Sequence, residues 1–348
     1  MPIKKSNSEK SENNISEQDY SVLYDKRPYG MKIKDFFKAL LKRREAGVLL
    51  ALLVLIIILS VSTPYFLQPV NLINILRQIS LIAIVGVGMT FSIIGGEFDL
   101  SVGSVMGFSA ILIAWLIRYG INPWIAFIIL LVLAVCIGFV NGILTTKLGI
   151  PSFIATLGML SILRGLTLVI AGGWPISGFE NSSFFFLTGG RILDIFPMQA
   201  IWLIIIMILG GIILTKTAFG HHVYGTGGNK QAAILAGVNT DRVKIINFII
   251  TSIVAVIAGA LMLGFLKSAT PLAGTGMELN VIAAAVIGGT SLLGGSGFVV
   301  GTLLGAIIMG AIKNGMILIG VSVYWQEAVL GFVIIGAVAM DMLLRRRR

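Results

Sequence analysis

The chain has 348 residues, of which 57% are hydrophobic and only 12% are charged. Ordinary globular domains carry roughly 25% charged residues, so this composition is typical of a polytopic membrane protein and leaves little room for a soluble catalytic domain. The formal net charge of +11 lies in three short stretches, residues 31–45, 216–244 and 345–348, which adjoin apolar segments. Basic residues placed in this way favour membrane orientation over nucleic-acid binding.

Residues 1–30 are polar and predict a disordered cytoplasmic tail, followed by a basic juxtamembrane segment at residues 31–45. The first apolar run is too long for a cleaved signal peptide and is expected to remain as a membrane span. Between residues 46 and 344, apolar runs predict an all-α polytopic membrane protein with about ten transmembrane helices. The runs lie at about residues 46–67, 80–94, 102–117, 123–146, 152–171, 199–214, 245–266, 281–288, 298–312 and 325–344.

The three basic stretches also predict the orientation of these helices. Lys and Arg stay on the cytoplasmic side of a bilayer, so both termini and residues 216–244 are expected inside the cell. An even number of crossings returns the C-terminus to the side of the N-terminus, and six crossings place residues 216–244 there as well. The loop at residues 172–197, with charges at Glu180, Arg191 and Asp194, is then expected outside.

Two of the predicted segments are too short to cross a bilayer alone. Residues 80–94 reach about 22 Å and residues 281–288 about 12 Å, whereas the hydrocarbon core is about 30 Å thick. Each is followed by a glycine-rich polar stretch, at residues 95–104 and 288–297. This pattern predicts broken helices that line a translocation pathway, although tight loops at the membrane surface are an alternative. The candidate pathway residues are Gly95, Gly96, Glu97, Asp99, Ser101, Arg164, Thr290 and Ser291.

Three charged residues in this set carry specific expectations. Asp99 either caps the third helix, by accepting from the amides of Ser101 or Val102, or lines a polar pathway. Arg164 lies inside the fifth span and needs an anionic or carbonyl partner, for which Asp99 or Glu97 is the candidate. A structural ion pair is favoured over contact with a transported solute.

The basic central loop predicts a docking element. Asn229 is suited to cap a helix of about two turns and Gly237 to end it. The small Ala232–Ala233 face allows another protein to approach closely, although a plain amphipathic connector is the alternative. The candidate docking residues are Gly228, Asn229, Gln231, Ala232, Ala233 and Gly237. The chain has no phosphate-binding G-x-x-x-x-G-K-[ST] motif, so we expect no nucleotide hydrolysis, no catalytic residues, no metal and no cofactor.

Several ordered motifs together resemble one family. Residues 95–104, residues 151–158 with Arg164 and Gly165, residues 227–233 with Gly237, residues 288–295 and residues 324–326 are similar to motifs of the permease subunits of ribose-type sugar ABC importers. The resemblance covers residues 46–344. It departs at Glu97, where many members carry an apolar residue, and in the polar N-terminal extension.

The resemblance implies a permease of the bacterial inner (cytoplasmic) membrane without an ATPase of its own. Its expected partners are a second permease copy (as a homodimer or heterodimer), a cytosolic ABC ATPase held at the central loop, and an extracytoplasmic binding protein. That protein would deliver a ribose-, xylose- or galactose-like sugar. Three alternatives remain open: a branched-chain amino acid permease, a non-transporting membrane scaffold, and an ion-coupled secondary transporter that uses Asp99, Glu97, Arg164 and Lys267.

Overall fold

The computed structural model describes residues 45–179 and 182–346, with nearly all of their side chains. The polar tail at residues 1–30, most of the basic segment at residues 31–45, Glu180 and the last two arginines lie outside the described residues. The described part is almost entirely helical. Its thirteen helices are α1 (Glu45–Ser62), α2 (Pro69–Ile94), α3 (Val102–Arg118), α4 (Pro123–Thr146), α5 (Ser152–Ala171), α6 (Ser183–Gly189), α7 (Met198–Lys216), α8 (Ala218–Gly228), α9 (Lys230–Leu235), α10 (Thr240–Leu266), α11 (Met277–Ile287), α12 (Val299–Leu318) and α13 (Val323–Arg346).

Four two-residue strands form two antiparallel pairs. They are β1 (Ile176–Ser177), β2 (Arg191–Ile192), β3 (Phe196–Pro197) and β4 (Ser268–Ala269). β1 pairs with β4, and β2 pairs with β3. The first pair ties the segment after α5 to the segment after α10, so it joins parts of the chain that are far apart in sequence.

Six of the described helices are long and apolar enough to cross a membrane: α2, α4, α5, α7, α10 and α12. Four shorter apolar helices lie at Gly47–Ser62, Val102–Arg118, Met277–Ile287 and Tyr324–Ala339. Each of the predicted segments therefore corresponds to an apolar helix, and the prediction of a mostly helical polytopic chain is confirmed. The number of crossings and the side on which each terminus lies stay predictions.

The second helix corrects one of the sequence predictions. α2 begins at Pro69 and has 26 residues, so it measures about 39 Å and is not a short segment. Its first half was missed because it carries polar residues. Those residues are accommodated within the bundle: the Asn71 and Asn314 side-chain amides exchange two hydrogen bonds, and the Arg77 guanidinium lies 5.0 Å from the centroid of the Phe265 ring. By contrast, α11 has only 11 residues, about 16 Å, and is short as predicted.

The packing is organised around α10, which contacts α2, α3 and α4. Glycines allow these helices to approach closely, as is common between membrane helices. A Cβ at Gly138 of α4 would lie 2.5 Å from the Ile249 Cα, and a Cβ at Gly142 would lie 2.8 Å from the Ile245 Cα. α11 packs separately, against α2, α12 and α13. The two ends of the chain thus contribute to one bundle.

The bundle has two distinct ends. One end, which we call the basic-loop end, carries α8 and α9 together with the segments after α2 and α11. The opposite end carries the β1–β4 pair, and there Trp124 of α4 donates a hydrogen bond from its indole nitrogen to the Ser183 hydroxyl of α6 over 3.0 Å. Sequence patterns predicted one helix in the central loop, and α8 was missed. His221 and His222 lie on α8 and are exposed.

Candidate functional site

Both glycine-rich segments lie at the basic-loop end and contact each other there. We call residues 95–101 the first glycine linker and residues 288–298 the second glycine linker. The Gly295 amide donates a hydrogen bond to the Ile94 carbonyl oxygen at the end of α2, over 2.8 Å. Helix α2 is long and apolar enough to cross a membrane, so the first linker does not follow a short segment. The prediction that the segment before this linker is too short to cross a bilayer is therefore wrong.

The residues of the two linkers form tight turns that end their helices. Gly96 has φ +83° and its amide donates to the Ile93 carbonyl oxygen. In the second linker, the Ser291 amide donates to the Ser296 carbonyl oxygen over 2.8 Å, while the Ser291 hydroxyl accepts from the Leu293 amide. The hydroxyl of Thr290 is buried, and no hydrogen-bond partner for it exists among the described residues. A pathway role for Gly95, Gly96, Thr290 and Ser291 stays a prediction.

Asp99 holds the turn that leads into α3. One oxygen of its carboxylate accepts from the Ser101 amide over 2.9 Å and from the Ser101 hydroxyl over 2.5 Å. The predicted hydrogen bond from the Ser101 amide is thereby confirmed, but Asp99 does not cap α3, because Ser101 is the N-cap residue and no side chain caps that helix. The Asn141 side-chain amide of α4 donates to the same Ser101 hydroxyl over 3.1 Å, so the turn is fastened to a neighbouring helix. All three side chains are completely buried.

Glu97 forms an ion pair with Lys244 in the first part of α10. Each of these two side chains retains only 13% of its surface exposed. A second ion pair, between Lys147 after α4 and Asp241 of α10, measures 2.8 Å at the same end. Glu97, which departs from the family pattern, therefore has a basic partner in this chain, Lys244.

The expected pairing of Arg164 with Asp99 or Glu97 is wrong. A terminal nitrogen of its guanidinium donates to the Pro271 carbonyl oxygen over 3.0 Å and to the Ala273 carbonyl oxygen over 2.9 Å. These two carbonyls belong to residues 270–276, a non-helical stretch that we call the inner loop. Helix α3 holds the inner loop closely, because a Cβ at Gly103 or Gly107 would overlap its carbonyl oxygens.

The inner loop is thus a stretch of non-helical backbone between helices of the bundle. Sequence patterns predicted such stretches only at the two glycine-rich segments. Non-helical backbone at this position needs partners other than water, and Arg164 provides donors for two of its carbonyls. The missed signal is the group Pro271, Gly274 and Gly276 between two apolar segments, together with an arginine inside α5. Gly274 and Gly276 both have φ +75°, which favours glycine.

The predicted docking helix is present as α9. The Asn229 side chain accepts from the Ala232 amide over 3.0 Å at its start, and Gly237 has φ +82° just after its end. The predicted capping and termination of this helix are therefore confirmed. Its exposed surface differs from the prediction, because Ala233 is buried. The exposed apolar side chains are instead Ile234, at 45%, and Leu235, at 88%.

Helix α8 connects α9 to both glycine linkers. Gly227 lies so close to the Ile94 carbonyl oxygen that a Cβ would overlap it, and the same Cβ would lie 2.9 Å from the Gly295 nitrogen. The Tyr224 hydroxyl donates to the Gly297 carbonyl oxygen over 2.7 Å. Burial raises the pKa of this phenol, which keeps it protonated as a donor. Helix α8 therefore contacts both the end of α2 and the second glycine linker just before α12.

Other chemistry is not indicated at this end of the bundle. Within residues 45–179 and 182–346, no group of three His, Cys, Asp or Glu side chains is arranged to hold a metal ion. The site consists of glycine turns, two ion pairs and an exposed apolar helix tip.

The fold and this site define a helical multi-pass membrane protein with two short helices, α8 and α9, between α7 and α10. Residues 71–338 match the family described as branched-chain amino acid transport system / permease component. The chain is 41% identical over 271 residues to the ribose import permease of Bacillus subtilis (strain 168), covering 78% of this chain and 84% of the relative. The chain belongs to this permease family, and it is a multi-pass inner-membrane permease of a bacterium.

Two further relatives extend the comparison. The ribose import permease of Escherichia coli (strain K12) is 42% identical over 282 residues, covering 80% of this chain and 87% of the relative. The autoinducer 2 import system permease of Photorhabdus luminescens is 38% identical over 282 residues, covering 79% and 83%. No solved structure gives a significant match to the chain.

Proposed function

We propose that this permease is the membrane subunit of an ABC importer and forms the translocation pathway for a sugar. In this proposal an extracytoplasmic binding protein delivers the sugar, and a cytosolic ATPase supplies the energy. A second permease copy, identical or related, completes the pathway. The observation that carries the proposal is the unit formed by α8 and α9, which has an exposed apolar tip and contacts both glycine linkers.

The apolar tip is the proposed ATPase contact. Ile234 and Leu235 are exposed at the end of a helix whose start is fixed by the Asn229 cap. An apolar helix face presented on a polar loop suits the groove of a partner protein. Exposure of apolar side chains to water is unfavourable, so a partner that covers them gains free energy. Gly228, Gln231 and Ala232 are exposed on the same unit and are proposed to border the contact.

The proposed relay runs from α9 through α8 to the two linkers. Closure of the ATPase on nucleotide would move α9, and α8 would carry that motion to Ile94 and Gly295 through backbone contacts. Backbone contacts transmit displacement well because they cannot relax by rotating a side chain. The relay therefore gives the chain a role in energy coupling without a nucleotide site of its own.

The proposed orientation follows from charge. The basic residues of 216–244 place α8 and α9 in the cytoplasm, since Lys and Arg stay on that side of the membrane. With ten crossings, both termini also lie in the cytoplasm, and residues 172–197 lie outside. Glycosylation-site or cysteine-labelling mapping of Leu235 and Leu193 tests this orientation, because the two residues are expected on opposite sides.

The sugar is proposed from the relatives, two of which are ribose import permeases. The family description names branched-chain amino acids, so a permease for those compounds is the second candidate. An ion-coupled transporter is less well supported. Its candidate charges are engaged in structural contacts, since Glu97 is paired with Lys244 and Arg164 is bound to two backbone carbonyls.

The deciding experiment is to purify the chain with its ATPase and measure which ligand-loaded binding protein stimulates ATP hydrolysis in proteoliposomes. We expect stimulation with a ribose-type sugar and none with leucine. Leu235→Asp should weaken ATPase binding about tenfold or more, because it places a charge in a desolvated contact. Lys216→Met, also exposed, serves as the control. Accumulation of solute on an ion gradient by the chain alone would contradict the proposal.

A further inference from the structure

A cavity of about 160 Å³ lies among α2, α11, α12 and α13, away from the glycine linkers. Three polar side chains line it: Gln78 of α2, Asn280 of α11 and Lys313 of α12. The rest of its lining is largely apolar, with Met277 and Met309 among the contributors. An enclosed cavity of about 150 Å³ accommodates one benzene ring, so this partly open space has the size of a single-ring compound.

Lys313 is the unusual residue of this cavity. It lies inside the apolar helix α12, and among the described residues no carboxylate is within ion-pair distance of its ammonium group. A charged side chain inside a membrane segment is costly and usually marks a solute pathway or a paired site. The acidic residue Glu278 of α11 lies two residues before Asn280, which lines the cavity. Its carboxylate faces Gly103 and the Arg164 charge, on the α3 side of α11.

Gln78 and Lys313 lie at a similar height in the bundle. Gln78 is about 24 Å along α2 from its end at Ile94, and Lys313 is about 21 Å along α12 from its start at Val299. Ile94 and Val299 both lie at the basic-loop end of the bundle. The cavity therefore lies partway along the bundle, nearer the opposite end, from which a delivered solute would arrive. It is open on one side, where Gln78 is exposed.

We propose that this cavity holds the transported solute during passage and that it selects a neutral polyhydroxylated ring. This inference rests on the proposed function and names the substrate contacts. Carboxamides donate and accept hydrogen bonds, as hydroxyl groups do, and the ammonium group donates to hydroxyl oxygens. Gln78, Asn280 and Lys313 therefore match the edge of a sugar, and the methionines match its C–H faces.

The same residues disfavour the second candidate ligand. An amino acid carries an ammonium group, and in this cavity that group would meet the Lys313 charge with no carboxylate to balance it. An anion is also a poor match, because strong anion sites in proteins use an arginine fork or several converging backbone amides. The cavity offers one lysine and two carboxamides.

The test compares uptake with ATP hydrolysis in proteoliposomes that contain the complete importer. We expect Lys313→Met and Gln78→Leu to lower ribose uptake per ATP hydrolysed roughly tenfold, since each removes a hydrogen bond to the solute. Stimulation of hydrolysis by the loaded binding protein should remain, because the α8–α9 unit is untouched. Lys216→Met is the matched control and should change neither quantity.

A labelling experiment keeps the inference testable if those variants fold poorly. In a Cys136→Ser background, Gln78→Cys should react with a charged methanethiosulfonate reagent, and turnover with ribose should slow that reaction. Leu72→Cys, exposed on the same helix outside the cavity, is the control and should show no protection.

The outcomes separate the two proposals. Wild-type importer that shows no sugar-stimulated hydrolysis would contradict the proposed function and this inference with it. Normal wild-type coupling combined with wild-type uptake by both variants, or with no protection of Gln78→Cys, would overturn the inference alone. A fall in hydrolysis parallel to uptake would also overturn it, since the residues would then act in coupling.

Discussion

The two glycine-rich regions of this chain look alike in sequence and differ in construction. The first glycine linker ends a 26-residue helix and is fastened by side chains: Asp99 binds the Ser101 backbone and Glu97 pairs with Lys244. In the second half, α11 has 11 residues and is flanked by non-helical backbone on both sides, the inner loop before it and the second linker after it. The first region is an anchor, whereas α11 is a short element packed against α2, α12 and α13.

This difference identifies the part that is free to move. A long helix packed against α10 along its length cannot shift without repacking a large interface. The 11-residue α11 packs against α2, α12 and α13 over a shorter length, so its displacement requires less repacking. We infer that motion of α8 is taken up by α11 more than by α2. Because α11 carries Asn280, that motion would also reshape the cavity in which we place the solute.

The largest expected effect comes from releasing α11 at the inner loop. Arg164→Met leaves the Pro271 and Ala273 carbonyls without their donor and should lower the free energy of unfolding by about 3 kcal/mol. Thermal unfolding in detergent measures this loss. Arg118→Met, at an exposed arginine, is the control and should stay within about 0.5 kcal/mol of the wild type. Equal stability of the two variants would show that the inner loop does not depend on Arg164.

The next effect comes from separating α8 from both linkers. Gly227→Ala introduces a Cβ where the Ile94 carbonyl oxygen lies, and relieving that overlap should cost about 2 kcal/mol. Sugar uptake and stimulated ATP hydrolysis should fall together, because the proposed relay passes from α8 to the linkers through this contact. Gly211→Ala on α7 has open space and is the matched control. Uptake that survives in Gly227→Ala would place the relay elsewhere.

The smallest effect concerns the anchor at the first linker. Lys244→Met leaves the Glu97 carboxylate without its partner in a mostly buried position, and should lower stability by about 1–2 kcal/mol. The double variant Glu97→Leu with Lys244→Met removes both charges and should recover most of that loss. Chemical or thermal unfolding of the wild type, the two single variants and the double variant gives the coupling energy between Glu97 and Lys244. Simple additivity would mean that the ion pair does not fasten the linker.

Sequence patterns predicted the helices that are uniformly apolar and missed those that are not. The limits of α4 and α5 agree with prediction to the residue, because proline opens each helix and the apolar run continues to its end. The first half of α2 was missed because Asn71 and Arg77 interrupt its apolar pattern. Their partners, Asn314 and Phe265, lie far away in sequence. Nothing local indicates that such residues are satisfied within a bundle.

The site shows the same division. The start and end of α9 were predictable because an Asn cap and a glycine in the left-handed region are local devices. The partners of Arg164 and Glu97 were not, since several acidic and carbonyl groups were equally plausible until the helices were packed. The cavity with Gln78, Asn280 and Lys313 was also missed. Its three residues come from three separate helices, so no local pattern in the sequence brings them together.

The amino-acid sequence by itself determined that this protein is a helical membrane protein, where most of its helices lie, and how helix α9 of the central loop begins and ends. These properties depend on hydropathy and on hydrogen bonds within a few residues. Only the tertiary structure decided that the first glycine region follows a full-length helix, that Arg164 holds the inner loop, and that Lys313 shares a cavity with two carboxamides. Those facts depend on which helices become neighbours, and the pairing of helices is set by packing across the whole bundle.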